Sequence, residues 1–197
     1  MLIDGFNSLS KAEQKQFALA HGFKSFSQSG QEEFAFANAA SFKTFLDIGS
    51  MSAFSASNSY ALESLGWRGL AVDFDVREVT AWPKNRKTPV LLMDATKVDW
   101  KTVLPKYGLG PVIGYLSLDL YGEELQVLRN LHAAGISFRC ATVEHDSLGI
   151  KFELRDAIRE FMLAQGYTLA VADVLNPGGT INGVMLEGQP YEDWWAR

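Results

Sequence analysis

The chain has 197 residues and a formal net charge of -5. That length suits one domain with a sizeable core, and that sign argues against a non-specific grip on nucleic acid or an anionic membrane. Cys140 is the only cysteine, which rules out an internal disulfide; His21, His132 and His145 stand too far apart in sequence to suggest a structural zinc site. Neither an 18-residue apolar stretch nor a signal peptide is visible, so a soluble cytoplasmic protein is expected.

Ser10-Lys11-Ala12-Glu13 and Ser29-Gly30-Gln31-Glu32 are both capping-box patterns. They predict an N-terminal helical segment over residues 1–40, with Gly22 ending its first helix. An alternation of short apolar runs and amphipathic stretches then begins. Strands are expected over residues 45–48, 70–73, 90–93, 112–119 and 138–143. Between them, helices are expected over 57–65, 76–82 (broken at Pro83), 99–104 and 123–134. The last presents Leu125, Val127, Leu128 and Leu131 on one face and stops at Gly135. A long amphipathic helix over 148–165 ends at Gly166. Two further strands, 167–174 and 180–186, flank a turn at Asn176-Pro177-Gly178-Gly179. Strands alternating with helices imply a mostly parallel sheet covered on both faces, and the last two strands, with no helix between them, imply a closing antiparallel hairpin. No linker divides the chain, so residues 1–197 read as one domain with an α/β core over 44–186.

In an open α/β sheet the ligand lies beyond the carboxyl ends of the strands. Five consecutive strands each deliver an acid there: Asp47, Asp73, Asp94, Asp119 and the run Glu144-His145-Asp146. One such acid is ordinary loop polarity; five in series suggest a site. Asp73, with Asp75 as fallback, suits a ribose diol. Asp94 with Ala95 suits an adenine edge. Gly49 and Ser50 allow close approach of a ligand to backbone, and Asp119 ends the central strand nearest the reacting centre. The dinucleotide pattern G-x-G-x-x-G fails, because its second and third positions from Gly49 are Met51 and Phe54. A phosphate-cradling loop and a Tyr-x-x-x-Lys pair are also absent. A cofactor without phosphates, S-adenosylmethionine with S-adenosylhomocysteine as its product, fits these absences best. The sheet with its closing hairpin is the Rossmann-like methyltransferase arrangement of seven strands.

Ser27-Gln28-Ser29-Gly30-Gln31-Glu32, Phe45-Leu46-Asp47-Ile48-Gly49-Ser50 and Ser57-Asn58-Ser59-Tyr60-Ala61-Leu62-Glu63 are followed by Gly66-Trp67-Arg68-Gly69-Leu70, Tyr115-Leu116-Ser117-Leu118-Asp119, Gly122-Glu123-Glu124-Leu125 and Val143-Glu144-His145. This ordered series resembles the FkbM family of S-adenosylmethionine-dependent methyltransferases, over roughly residues 27 to 186. The resemblance implies O-methylation of a hydroxyl on a sugar or other small molecule. It implies cofactor contacts at Gly49, Asp73, Asp94 and Asp119, and it adds Ser57, Asn58 and Glu63. Glu192-Asp193-Trp194 is similar to the family as well. Two positions depart from it. The loop after the first strand, often G-A-N-D-G, is Gly49-Ser50-Met51-Ser52-Ala53, and Tyr121 replaces a common acid.

Among candidate bases for deprotonating a hydroxyl, His145 has the most suitable ordinary pKa, with Asp119 and Glu144 beside it. No metal site is assigned, the alternative being magnesium or calcium on Asp119 and Glu144. Lys84, Arg86 and Lys87 read as a solvated loop. Phe34, Phe36, Phe42 and Phe45 read as core or cofactor-lid packing. Trp194-Trp195 reads as a cover for a sheet edge or a homodimer patch. Expected partners are a small-molecule or sugar hydroxyl acceptor, with no nucleic acid and no membrane. Two alternatives remain: a cofactor-binding or interaction module with weakened catalysis, motivated by Met51 and Tyr121, and a nicotinamide-dependent oxidoreductase.

Overall fold

The computed structural model describes residues 25–84, 86–145, 152–178, 180–181, 184–185 and 187–197. The helix expected after Ser10, and the first turn of that expected from residue 148, lie outside them. Among the described residues, no helix is long and apolar enough to cross a membrane.

The elements run α1 (Gln31–Ala39), β1 (Thr44–Ile48), α2 (Tyr60–Ser64), β2 (Arg68–Asp73), α3 (Val76–Ala81), β3 (Val90–Leu92), α4 (Trp100–Lys106), β4 (Val112–Leu118), α5 (Glu124–Ala133), β5 (Ser137–Glu144), α6 (Phe152–Ala164), β6 (Thr168–Leu175), β7 (Thr180–Ile181), β8 (Val184–Met185) and β9 (Pro190–Ala196). Seven strands form one sheet in the order β3-β2-β1-β4-β5-β9-β6. The pairs from β3 to β5 are parallel, and β9 is antiparallel to both β5 and β6. Strand order reverses between β1 and β4, which places a ligand crevice at their carboxyl ends.

Apolar alternation decides what each face of the sheet covers. Leu46, Ile48, Leu116, Leu118, Ala141 and Val143 pack against α4, α5 and α6 through Leu104, Val127, Leu131 and Ile158. Phe45, Tyr115, Cys140 and Trp194 point the other way, onto Phe34, Ala35 and Ala39 of α1 and Ala61 and Leu62 of α2. Burial on both faces explains why β4 reads as an almost unbroken apolar run.

Three expectations are corrected here. Of the strand expected over 180–186, the described residues Thr180–Ile181 and Val184–Met185 lie outside the main sheet and pair with each other as a separate two-stranded ribbon. The strand that closes the sheet is β9, which the aromatic pair Trp194-Trp195 anchors at 1% and 0% exposure, so these indoles neither cap an edge nor form a surface patch. The second capping box is also not formed. Gly30 caps α1 with φ 95° and without a side-chain bond. The Glu32 carboxylate instead accepts from the Phe26 N–H (2.6 Å) on one oxygen and the Ala61 N–H (2.6 Å) on the other, tying the segment before α1 to α2.

Candidate active site

Gly49 follows β1 with φ 76°, and a Cβ built there would overlap the Asp119 carbonyl oxygen. Only glycine fits where the loops after β1 and β4 cross. The Gly49 N–H donates to the Val72 carbonyl (2.9 Å) and the Asp119 N–H to the Ile48 carbonyl (3.1 Å), so the strand-end residues are fixed by the ladder itself. The next residue but one, Met51, also lies in the left-handed region at φ 44°. Its N–H donates to Asp73 Oδ2 (2.8 Å), while Asp73 Oδ1 accepts from the Asp75 N–H (2.8 Å). Asp73 thus holds the glycine loop and still keeps free lone pairs on both oxygens.

Two cavities flank this crossing. The first, about 290 Å³, is lined by Val72, Asp73, Phe74, Asp94, Ala95 and Leu120 among others. Asp94 bonds Thr96 and pairs with Lys97 at 2.7 Å, and these donors, Lys97 first, hold its carboxyl down at about 2. The second, about 210 Å³, is lined by Asp47, Gly49, Ser50, Asn58, Asp119 and Glu192, with Gln28, Gln31 and Tyr191 at its far side. Ser50 Oγ and Asn58 Oδ1 are buried there without a hydrogen-bond partner among the described residues. Both hydrogen-bonding atoms therefore remain available to a ligand.

Asp47, Ser117, Thr142 and Glu144 share the α1-side face of the sheet by strand alternation, and Glu192 sits opposite Glu144 in the register. Asp47 is 2% exposed. Its Oδ2 accepts from Ser59 Oγ at 2.5 Å, and burial pushes its pKa up despite this bond and the nearby Arg86 charge. Glu144 is buried behind Asp119 and hydrogen-bonded to it. Burial and the adjacent Asp119 charge push the Glu144 carboxyl well above its ordinary value. Glu144 therefore holds its proton more tightly than an ordinary carboxyl does.

The structure separates other residues that the sequence grouped together. His145 follows the opposite alternation: its ring is 4% exposed, lies 3.6 Å from Asp193 and lines neither cavity. Asp193 in turn accepts from Arg159 of α6 (2.7 and 2.8 Å), which places His145 in an ion network on the α6 side. Ser57 also lines neither cavity. Its Oγ accepts from the Ser59 and Tyr60 N–H groups and from Arg86, which orders the start of α2. Asn58 donates to Ser117 Oγ (3.0 Å) and does line the smaller cavity.

Arg86 is not part of a solvated loop. Its side chain is fully buried, pairs with Glu63 at 2.9 Å, donates to the Ala53 carbonyl, Ser57 and Ser59, and stacks 4.4 Å over Trp82. Glu63 also accepts from Lys87 and Thr88, so it pins the segment before β3 rather than touching a ligand. Sequence reasoning gave no role to Gln28, Gln31, Tyr191 or Glu192 at the cavity. Their signal lay only in the likeness of Gln28, Gln31 and Glu192 to the FkbM pattern.

Solved structures with the same arrangement include a TehB-like SAM-dependent methyltransferase from Corynebacterium glutamicum. It aligns at TM-score 0.58 and 14% identity, covering 95% of this chain and 100% of that chain. An rRNA methylase from Streptococcus thermophilus aligns at TM-score 0.54 and 13% identity, over 86% and 95% of the two chains. The fold is that of Rossmann-like methyltransferases. No protein-family model matches the chain, and no curated protein matches it, so the FkbM likeness rests on the sequence motifs alone.

Proposed function

We propose that this chain is an S-adenosylmethionine-dependent methyltransferase that transfers the methyl group to a hydroxyl of a small molecule or sugar, as the FkbM likeness implies. The observation that carries the reading is the pair of cavities on either side of the Gly49 crossing, one walled by Asp73 and Asp94 and the other by Asp47, Gly49 and Asp119. A nucleoside with an amino-acid tail needs two adjoining lobes of this kind, and together they reach the roughly 300–1,000 Å³ of small-molecule sites. The orphaned Ser50 Oγ and Asn58 Oδ1 supply hydrogen bonds for the tail.

S-adenosylmethionine, when bound, supplies a methyl group already activated on a sulfonium. The residues then hold and orient. Asp73 accepts from ribose hydroxyls with lone pairs that the loop leaves free. Asp94 and Ala95 meet the adenine edge. Asp119, hydrogen-bonded to Glu144, accepts the proton of the attacking hydroxyl, the role that His145 is too remote to fill. A small acceptor is favoured over nucleic acid because the smaller cavity is lined by no basic side chain among the described residues, so it offers phosphate no counter-charge.

Calorimetry with S-adenosylhomocysteine tests the cofactor. Binding by the wild-type chain and an affinity loss of at least tenfold in Asp73→Asn are expected, with circular dichroism checking that the loop change leaves the fold intact. An absence of heat at high ligand concentration would count against the whole reading.

A further inference from the structure

We infer that the 210 Å³ cavity recognises an ammonium group carried by the methyl acceptor, with the Glu192 carboxyl as its counter-charge. This deepens the methyltransferase reading and rests on it. Glu192 comes from β9, the antiparallel strand inserted between β5 and β6. Strands spaced at about 4.8 Å put it three steps from β1, roughly 14 Å across the sheet. It therefore stands on the side away from Gly49 and Ser50, where the cofactor tail is placed.

Glu192 is 3% exposed and lines the cavity. Two donors orient it: Trp194 Nε1 on Oε1, and Gln31 Nε2 on Oε2 at 3.5 Å. The Gln31 amide also donates to Tyr191 Oη (2.8 Å), which donates on to Ser29 Oγ (2.8 Å). The groups that face the carboxyl are Gln31 of α1, Tyr115 of β4, Asp119 after β4, Glu144 of β5, and Tyr191, Asp193 and Trp194 of its own strand. None of them is a cation. A buried acid on a cavity wall without a cationic neighbour among the described residues is costly when ionised, and a ligand ammonium would remove that cost. Ser50, at the cofactor-tail end, marks the same cavity as one that takes a ligand. It is 7% exposed, lines the same cavity, and its Oγ has no partner among the described residues.

Binding is then an exchange: the ammonium enters, the Glu192 proton leaves to the buffer, and a carboxylate–ammonium pair forms. Burial lifts the Glu192 carboxyl to about 8, so close to one proton is released at pH 7.

The test uses the full chain saturated with S-adenosylhomocysteine. Two pairs of probes differ only in amine against hydroxyl: 2-aminoethanol with ethylene glycol, and glucosamine with glucose. The indole N–H resonance of Trp194, which bonds Glu192, reports binding. The amine of each pair is expected to bind at least tenfold more tightly. In Glu192→Gln that preference is lost while S-adenosylhomocysteine affinity stays within about twofold. Should that variant fail to fold, calorimetry on the wild type in two buffers of different ionisation enthalpy reads the released proton directly. Equal binding of amine and hydroxyl, an amine preference that survives Glu192→Gln, or amine binding without proton release would overturn the inference. So would amines that compete with S-adenosylhomocysteine, since the ammonium site would then belong to the cofactor tail. Failure of the wild type to bind S-adenosylhomocysteine at all would instead overturn the methyltransferase reading.

Discussion

Single backbone positions decide the shape of the crevice. Gly49→Ala combines a left-handed φ of 76° with a Cβ pressed into the Asp119 carbonyl. The conformational part alone costs about 1–2 kcal/mol, and the overlap forces the β1 and β4 loops apart as well. Loss of S-adenosylhomocysteine binding together with a lower urea midpoint is expected; an unchanged midpoint would show that the crossing is looser than the geometry demands. Met51 is the converse case. Its φ of 44° is a conformation that asparagine tolerates far better than methionine does, and its half-exposed side chain reaches little beyond the Tyr121 hydroxyl, 3.9 Å from Sδ. The G-A-N-D-G pattern places asparagine at this point. Met51→Asn is therefore expected to stabilise the chain by about 0.5–1 kcal/mol, measured by urea denaturation, with cofactor affinity maintained or improved. Asp47, Asp73, Asp94 and Asp119 were legible in the sequence because an apolar run followed by an acid marks a strand end whatever its neighbours are. His145 was not placed correctly because a strand end uncertain by one residue leaves the face undecided.

At the scale of elements, the first five strands were readable from alternation with helices, whereas the closing strand was not. Asn176-Pro177-Gly178-Gly179 is strong turn chemistry, and it directed the hairpin to residues 180–186. The sheet instead selected β9, because Trp194 and Trp195 bury more apolar surface between β5 and β6 than the short β7 and β8 runs offer. Trp195→Ala is expected to cost about 3–5 kcal/mol, read as a fall in urea midpoint. A cost below about 1 kcal/mol would mean that β9 is dispensable to the sheet. Arg86 illustrates the same limit. A Lys84-Asn85-Arg86-Lys87 run reads as solvated until α2 brings Glu63 and Ser59 onto it. Arg86→Met removes the one cation among the described residues bonded to Glu63 and to the Ser59 relay behind Asp47. Leaving buried acids uncompensated is expected to cost about 3–5 kcal/mol, and Glu63→Gln introduced beside it should recover part of that loss.

For the whole molecule, buried acids set the pH at which the fold is most secure. Burial raises Glu32 and Glu124 from the ordinary 4.5 to about 7, and Glu192 to about 8. A carboxyl raised in the folded state holds its proton there more tightly than in the unfolded chain, so unfolding releases protons as pH climbs past 4.5. Stability from these groups is complete below that value and is lost as pH rises through 7 and 8. Asp193 acts in the other direction. Burial alone would raise it, but Arg159 and then His145 outweigh burial and hold it at about 2. Its contribution is present above the ordinary 3.8 and is lost only as pH falls through about 2. Together these shifts place the stability maximum on the acid side of neutrality. The urea midpoint of the ligand-free chain should peak near pH 5 and decline steadily to pH 9. In Glu192→Gln the decline between pH 7 and 9 should flatten, because a group that titrates near 8 is gone. A midpoint that rises from pH 5 to pH 8 would refute this, since it would mean that the buried acids are ionised at little cost in the folded chain.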